Sequence, residues 1–212
     1  MSVLLEHLAE PDEGAAAELA AAETRRLAPG SSSGAESFGG ISFLIVESGF
    51  VVIRRRLPGH RGVVTCHAGT GALLTVPELD ETLDALVLAD VTLVSEATYG
   101  NLLARPNVAI ALSDALRSAL RQKRDAIANF ASVRPADRVE RKLLQLAREH
   151  GRVVPDGIRL DFPITHELLA EMIGSARETV SRAIDRLERT GFVVREGRSY
   201  RLQVTPETLE RL

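Results

Sequence analysis

The sequence is poor in aromatic residues and in cysteine, and both absences exclude classes of protein. Tryptophan is missing, aromatic residues make up 4% of the chain, and Cys66 is the single cysteine. One thiol excludes an internal disulfide and a zinc or iron–sulfur site held by four cysteines. No run of about 18 apolar residues occurs, so no membrane span is predicted. The N-terminal stretch lacks the basic and long apolar segments of a signal peptide, so we expect a cytoplasmic protein.

Positive charge is also missing from one stretch of the chain. No Lys or Arg lies between Arg61 and Arg105, although the chain contains 26 basic residues and has a net charge of −3. From residue 134 onwards the chain contains 15 basic and 13 acidic residues. The part before residue 134 therefore carries the excess of acidic residues. This distribution is compatible with nucleic-acid binding by the C-terminal part.

The first half of the chain changes from a helical to a β pattern. At 212 residues it has room for one large or two ordinary domains. Residues 3–28 are predicted to be helical and 28–34 to form a loop, whereas 41–94 contain short apolar runs separated by turns, typical of a small barrel or sandwich. Residues 80–84 are predicted to be an acidic loop. The predicted strands include 43–46, 50–53, 63–66, 73–76, 86–88 and 91–94.

A long amphipathic helix is predicted to follow. Ser95 is expected to cap a short helix, Pro106 suits the first turn of the long one, and Arg134-Pro135 is expected to end it and to act as a hinge. A long helix with one apolar seam favours pairing with a second copy as a coiled coil, and the alternative is packing on its own barrel. The predicted dimer-interface residues are Leu112, Leu116, Ala119, Leu120, Lys123, Ile127 and Phe130.

The C-terminal part has the order helix, hairpin, two helices, hairpin, which is a winged helix. Asp137 is expected to cap its first helix, and Asp156-Gly157 is a hairpin turn. In the two-helix unit over 164–191, Ala170 lets the helices approach closely. Gly174 supplies a turn with positive φ, and Val180 plugs the second helix into the core.

The exposed face of the second helix carries side chains suited to reading DNA. Arg donates two hydrogen bonds to guanine, and Glu accepts from the amino group of cytosine. Short hydroxyl side chains and an arginine at the tip of the second hairpin suit phosphate oxygens. The alternative is an ordinary solvated face with salt bridges. The predicted DNA-contacting residues are Thr165, which also caps its helix, Arg177, Glu178, Thr179, Ser181, Arg182 and Arg198.

Residues 137–204, and above all the run from Gly174 to Arg182, resemble the winged helix of the cyclic-AMP receptor protein/FNR (CRP/FNR) family of bacterial transcription regulators. The run from Phe43 to Gly49 is similar to a strand turn of that family's effector domain. The resemblance implies an α+β fold with a cyclic-nucleotide-binding-like β-barrel (jelly roll) at 1–105, a dimerisation helix at 106–133 and a winged helix-turn-helix at 134–212. It also implies a homodimer on a GTGA-like palindrome of double-stranded DNA, with RNA polymerase as a possible partner. Ala176 departs from the family, which often has a capping Ser or Thr there, so Ser175 substitutes or the cap is weaker by about 1 kcal/mol.

The sensor part departs further from the family. Ala72 stands where cyclic-nucleotide-binding members carry Glu, and the later stretch 80–84 is acidic and contains no Arg. Because a buried phosphate needs a positive partner, we expect no binding of cyclic AMP of the usual kind. We expect no cofactor: haem at Cys66 and His67 is disfavoured against an ordinary strand Cys and loop His. The effector is unknown, either an unidentified small molecule or none.

Two other functions compete with DNA binding as explanations of the sequence. A winged-helix adaptor that binds protein is the alternative, and the base-reading groups at Arg177, Glu178 and Arg182 disfavour it. An enzyme could use Asp80, Glu81 and Asp84, but these acids have no His or metal partner nearby in the sequence. We therefore expect a transcription regulator without enzymatic activity.

Overall fold

The computed structural model describes residues 12–57, 62–132 and 134–210, which form two compact units divided between Arg124 and Asp125. Helix α3 runs through this division. The helices are α1 Glu13–Ala21, α2 Glu96–Leu103, α3 Pro106–Ser132, α4 Pro135–His150, α5 His166–Ile173, α6 Arg177–Arg189 and α7 Pro206–Glu210, with a short 3-10 helix at Ala35–Phe38. The strands are β1 Thr24–Leu27, β2 Ser32–Gly34, β3 Ile41–Ser48, β4 Phe50–Arg56, β5 Gly62–Gly69, β6 Leu73–Thr75, β7 Glu81–Ala85, β8 Ala89–Ser95, β9 Gly151–Val154, β10 Gly157–Leu160, β11 Val193–Glu196 and β12 Ser199–Leu202. In the described part of the chain, no helix is long and apolar enough to cross a membrane.

Two antiparallel sheets of four strands enclose the core of the first unit. Their strand orders are β1-β8-β3-β6 and β2-β7-β4-β5. Leu44 and Val46 of β3 face Val51 of β4 and the other core side chains between the sheets. This arrangement is the jelly-roll type of antiparallel domain that the resemblance implies, and the run 43–46 is apolar throughout because both faces of β3 are covered.

The outer face of the first sheet is covered by helices. Phe43 and Ile45 of β3 pack with side chains from α1, α2 and the start of α3. Ser95 caps α2 as predicted, because its Oγ accepts from the Thr98 amide at 3.1 Å. Leu112 of α3 belongs to this cluster and is 1% exposed, so the core of the first unit already covers the side chain that was expected to meet a second copy.

The other predicted interface residues of α3 lie on its exposed side where they are described. Leu116, Leu120 and Ile127 are 48%, 60% and 69% exposed. Lys123 is exposed and Ala119 is half-buried, whereas the side chain of Phe130 lies outside the described ones. The first unit therefore covers the start of this apolar face at Leu112, and the large apolar side chains farther along the same face remain uncovered.

Several local predictions for the first unit are wrong. The predicted helix over 3–28 is shorter: α1 ends at Ala21, and residues 24–27 form a strand paired with β8 through contacts such as Arg26–Asp90. Residues 3–11 of that prediction lie outside the described ones. The predicted loop at 80–84 and the predicted strand at 86–88 are both wrong. Residues 81–85 form β7, whereas 86–88 form a bend that leaves Leu88 half exposed.

The second unit is a winged helix with one four-stranded sheet in the order β11-β12-β10-β9. Both predicted hairpins are present, and α4 begins at Pro135 after α3 ends at Ser132. Asp137 does not cap α4, because Arg134 occupies that position without a side-chain bond. Asp137 instead lies 3.3 Å from Arg186 of α6 in an ion pair.

Candidate DNA interface

Helix α5 and the following turn are fixed by side-chain and backbone hydrogen bonds. Thr165 caps α5 as predicted, since its Oγ1 accepts from the Leu168 amide at 3.0 Å. Gly174 ends the helix in the left-handed conformation, with φ 57° and ψ 49°, and the carbonyl of Ala170 accepts from its amide. A side chain at this position is strained in that conformation, so glycine sets the angle at which the chain enters α6.

Helix α6 separates an apolar stripe from a charged face. Val180, Ala183 and Ile184 are each no more than 2% exposed, which is the burial predicted for the inner stripe. Arg177, Glu178 and Arg182 lie on the exposed side of the same helix. The Arg182 guanidinium donates to the Glu178 carbonyl at 3.3 Å, whereas no hydrogen bond or ion pair within the described residues holds the side chains of Arg177 and Glu178.

The start of α6 lacks a side-chain cap, as the departure at Ala176 predicted. Ala176 occupies the cap position and no side chain accepts from the first amides, so Ser175 does not substitute. The Ala176 carbonyl accepts from the amides of Thr179 and Val180, which leaves the amides at 177 and 178 without a bond of this kind. A helix start of this type, with donors and the positive end of the helix dipole, attracts anions.

The wing between β11 and β12 presents two arginines at its tip. Gly197 turns the chain with φ 65°, and Arg195 and Arg198 on either side of it are exposed. The carbonyl of Arg198 accepts from the Ile164 amide at 2.8 Å, so the tip is attached to the segment that leads into α5. Arg195 is a basic residue that the sequence analysis missed, although its place two residues before a turn glycine was a usable signal.

The hydroxyl of Ser181, another predicted DNA contact, makes two contacts within the unit. Its Oγ lies 2.8 Å from Nδ1 of His166 and donates to the Arg177 carbonyl at 3.1 Å. Nε2 of the same imidazole lies 3.2 Å from the Tyr200 hydroxyl of β12. His166 and Tyr200 were not predicted as functional residues, because a contact across 34 positions leaves no local pattern. Thr179 is half-buried on α6.

The surroundings of His166 disfavour its protonated form. Burial lowers the pKa of the imidazole, and the nearby guanidinium groups of Arg195 and Arg177 lower that pKa further. Asp185 and Glu188 act in the opposite direction. Burial also raises the pKa of the Tyr200 phenol, which is 1% exposed and keeps its proton.

In the first unit, the acidic strand β7 is paired with arginines of the neighbouring strand β4. Asp84 is buried, forms an ion pair with Arg54 and accepts from the Ser32 hydroxyl at 2.6 Å. Glu81 is buried beside Arg55, with their nearest atoms 3.4 Å apart. The absence of cations between 61 and 105 is therefore offset by cations from an earlier strand, and these cations already have carboxylate partners.

Cys66 and His67 do not share a ligand site. They are consecutive residues of β5, so their side chains point to opposite faces of the sheet. Cys66 packs against the core between the sheets, whereas the His67 ring stacks on Phe50 with centroids 6.1 Å apart. This geometry does not fit a haem iron held by both residues.

Comparison with known proteins agrees with this architecture. Residues 137–212 match the family model of the Crp-like helix-turn-helix domain. A CRP-like cAMP-activated global transcriptional regulator of Mycobacterium tuberculosis is 29% identical over 191 residues, which cover 84% of this chain and 85% of the relative. A global nitrogen regulator of Synechococcus elongatus is 32% identical over 128 residues, covering 59% of this chain and 58% of the relative.

Solved structures share the fold over nearly the whole chain. A CooA mutant from Carboxydothermus hydrogenoformans superposes with a TM-score of 0.76 at 17% identity, covering 100% of this chain and 95% of the other. The c-di-GMP responsive global regulator CLP of Xanthomonas campestris has a TM-score of 0.71 at 21% identity, covering 92% and 100%. Residues 137–212 thus form a Crp-like helix-turn-helix domain, and the chain as a whole has the fold of CRP-type regulators.

Proposed function

We propose that this protein binds a palindromic, GTGA-like DNA site as a homodimer and does so without cyclic AMP. The observation that carries the proposal is the exposed row of Arg177, Glu178 and Arg182 on a helix that a buried stripe and a glycine turn hold in place. The GTGA-like sequence comes from the family resemblance of these positions.

The chemistry of the row suits base edges in the major groove. Arg177 and Glu178 occupy the first turn of α6, the part of a recognition helix that enters the groove deepest. Arg donates to O6 and N7 of guanine, and Glu accepts from N4 of cytosine. Since the two side chains are exposed and no bond within the described residues holds them, little has to be broken before they meet a base.

Groups around α6 suit the phosphate backbone. Arg198 and Arg195 at the wing tip supply positive charge beside the helix, and the uncapped amides at its start supply donors. Thr165 and Thr179 are further candidates among the predicted contacts. Such contacts set the register of a protein on DNA, whereas the base contacts carry the sequence information.

Pairing through α3 accounts for the uncovered apolar side chains there. Leu116, Leu120 and Ile127 recur at steps of four and seven residues, which is the spacing of one helix face. A second copy of the same helix covers such a face symmetrically, and a two-fold dimer matches a palindromic site. Leu112 is left out of this interface because the core of the first unit already covers it.

Independence from cyclic AMP is supported by the charges of the first unit. A cyclic phosphate needs a cation, and Arg54 and Arg55 of β4 already face Asp84 and Glu81. Withdrawing either arginine removes the positive charge beside a buried carboxylate, which is unfavourable. The M. tuberculosis relative is described as cAMP-activated, and we propose that this chain differs from it in that respect.

Selection of DNA from a random duplex pool by the purified protein tests the proposal. We expect enrichment of a palindrome whose two half-sites lie about 34–36 Å apart, and identical enrichment with and without cyclic AMP. Isothermal titration with cyclic AMP is expected to give no heat of binding, and micromolar affinity would refute the cAMP-independent part alone.

The same selection separates DNA recognition from the adaptor alternative. No duplex enriched even at low salt would refute sequence-specific DNA binding and favour a protein partner for the winged helix. Enrichment of a single half-site with monomeric protein would refute the dimer and leave base recognition standing. Sedimentation of the same protein sample gives its oligomeric state independently of DNA.

A further inference from the structure

One imidazole lies between the recognition helix and the wing of the second unit. His166 is the first residue of α5, Ser181 belongs to α6 and Tyr200 to β12. The two ring nitrogens of His166 are 2.8 Å from the Ser181 hydroxyl and 3.2 Å from the Tyr200 hydroxyl. A single side chain thus joins three elements of the unit, and we refer to these three residues as the His166 bridge.

The direction of each hydrogen bond follows from counting protons. The Ser181 hydroxyl has one proton, which it donates to the Arg177 carbonyl, so its oxygen accepts from Nδ1–H of His166. In a neutral ring Nε2 then carries the lone pair and accepts from the Tyr200 hydroxyl. This arrangement satisfies every polar atom of the bridge with the imidazole uncharged and protonated on Nδ1.

We propose that His166 is a positioning residue for DNA recognition, holding α6 and the wing strand β12 in the relative placement that a DNA site requires. The inference rests on the proposed function. Base contacts from Arg177 and a phosphate contact from Arg198 are made together only when helix and wing keep a fixed spacing. A bridge that fixes this spacing before binding lowers the ordering cost of binding.

The bridge is placed to affect both DNA-contacting elements. Ser181 is one helical turn after Arg177 and accepts the histidine bond while donating to the Arg177 carbonyl. Tyr200 is two residues after Arg198 on the wing and has its hydroxyl buried. A buried phenol without an acceptor is unfavourable, so the Tyr200 hydroxyl itself favours the neutral, accepting form of His166.

A double-mutant cycle with fluorescence anisotropy on the duplex selected by the wild-type protein tests the bridge. Ser181→Ala and Tyr200→Phe each remove one bond, and we expect each to weaken affinity about 3- to 10-fold. Because either change breaks the same bridge, the double variant is expected to lose far less than the product of the two losses. In a His166→Phe background neither change is expected to weaken affinity further.

Matched variants control for the loss of a hydroxyl. Ser113→Ala removes an exposed serine of α3 that donates to the carbonyl four residues earlier, as Ser181 does. Tyr99→Phe alters the one other tyrosine of the chain, which lies in the first unit. Both are expected to leave DNA affinity within about twofold of the wild type.

Two results would overturn the positioning role. Losses that multiply in the double variant would show that Ser181 and Tyr200 act separately. Lower stability of the variants with unchanged DNA affinity of the folded protein would show that the bridge is merely structural.

Nitrogen-15 NMR of the His166 ring gives a readout that does not depend on DNA. We expect the neutral form protonated on Nδ1, and the form protonated on Nε2 would contradict the hydrogen-bond directions argued above. If the wild-type protein selects no duplex, the proposed function fails whereas the tautomer still decides the bridge. If it selects a duplex and the cycle is multiplicative, the bridge fails and the proposed function stands.

Discussion

Strands β4 and β7 of the first unit bring arginine and carboxylate side chains together, whereas helix α6 of the second unit directs Arg177 and Glu178 to solvent. Asp84 and Arg54 satisfy each other within the sheet, so neither is available to a ligand without a loss. Arg177 and Glu178 have no such partner among the described residues and gain by meeting one. The position of a charge in the sequence therefore says little about its availability to a ligand, which depends on the neighbouring strand or helix.

The largest effect on DNA affinity is expected from substituting Arg177, which is exposed on α6. Arg177→Ala should weaken binding to the selected palindrome about 10- to 100-fold, because each half-site loses one bidentate base contact. It should also relax the preference at the base pair that Arg177 reads, and leave the free energy of unfolding within about 0.5 kcal/mol. Anisotropy titrations with matched and substituted duplexes measure both effects. An unchanged base preference would remove Arg177 from the set of base-reading residues.

Substituting Asp84, which is paired with Arg54, should lower stability and leave DNA affinity unchanged. Asp84→Asn leaves Arg54 facing a neutral amide, so we expect the unfolding free energy to fall by about 2 kcal/mol, less than for a fully buried pair since Arg54 is partly exposed. Urea unfolding followed by circular dichroism suits a chain without tryptophan. Asp80→Asn, on a half-exposed carboxylate, is the control and should change little. Equal stability of the two variants would contradict the stabilising role of the buried Asp84–Arg54 pair. DNA affinity should not change in either variant.

A smaller effect is expected at the wing tip. Arg198→Ala should weaken DNA binding about threefold for every sequence alike and reduce the salt dependence by about one phosphate per subunit. Titrations at several salt concentrations separate it from Arg177→Ala, whose effect depends on sequence. A sequence-dependent loss at Arg198 would place the wing among the base-reading elements.

The smallest effect concerns pH. The pKa of His166 is lowered in the folded protein, so the native state binds fewer protons than the unfolded chain. The stabilisation is therefore complete above about pH 6.5 and is lost as the pH falls below that value. Burial is the main cause of the lowered pKa, the charges of Arg195, Asp185, Arg177 and Glu188 also act on the ring, and the Tyr200 hydroxyl lies 3.2 Å from its Nε2. His166→Phe should unfold with a weaker pH dependence over this range, and parallel curves for the two proteins would exclude His166 as the cause.

The sequence allowed the second unit to be predicted more fully than the first. Thr165, Gly174 and Val180 act over short distances along the chain, so their pattern indicated the cap, the turn and the buried stripe before the structure did. The strand β7 escaped prediction because its acids resemble a solvated loop until Arg54 and Arg55, about 30 positions earlier, are placed beside them. The contact from His166 to Tyr200 and the burial of Leu112 likewise depend on partners distant in sequence.

The missing cap at the start of α6 has a thermodynamic consequence for recognition. Its neighbour α5 is capped by Thr165, whereas the first turn of α6 begins at Ala176 with unbonded amides and so has a weaker preference for the helical state. When a DNA phosphate supplies the acceptor, completing that turn and binding DNA become one coupled equilibrium. Part of the free energy that folds the helix is thereby expressed as affinity for DNA. Ala176→Ser would cap the helix in the unbound protein. The unbound protein would then be more stable, and DNA binding would release less free energy.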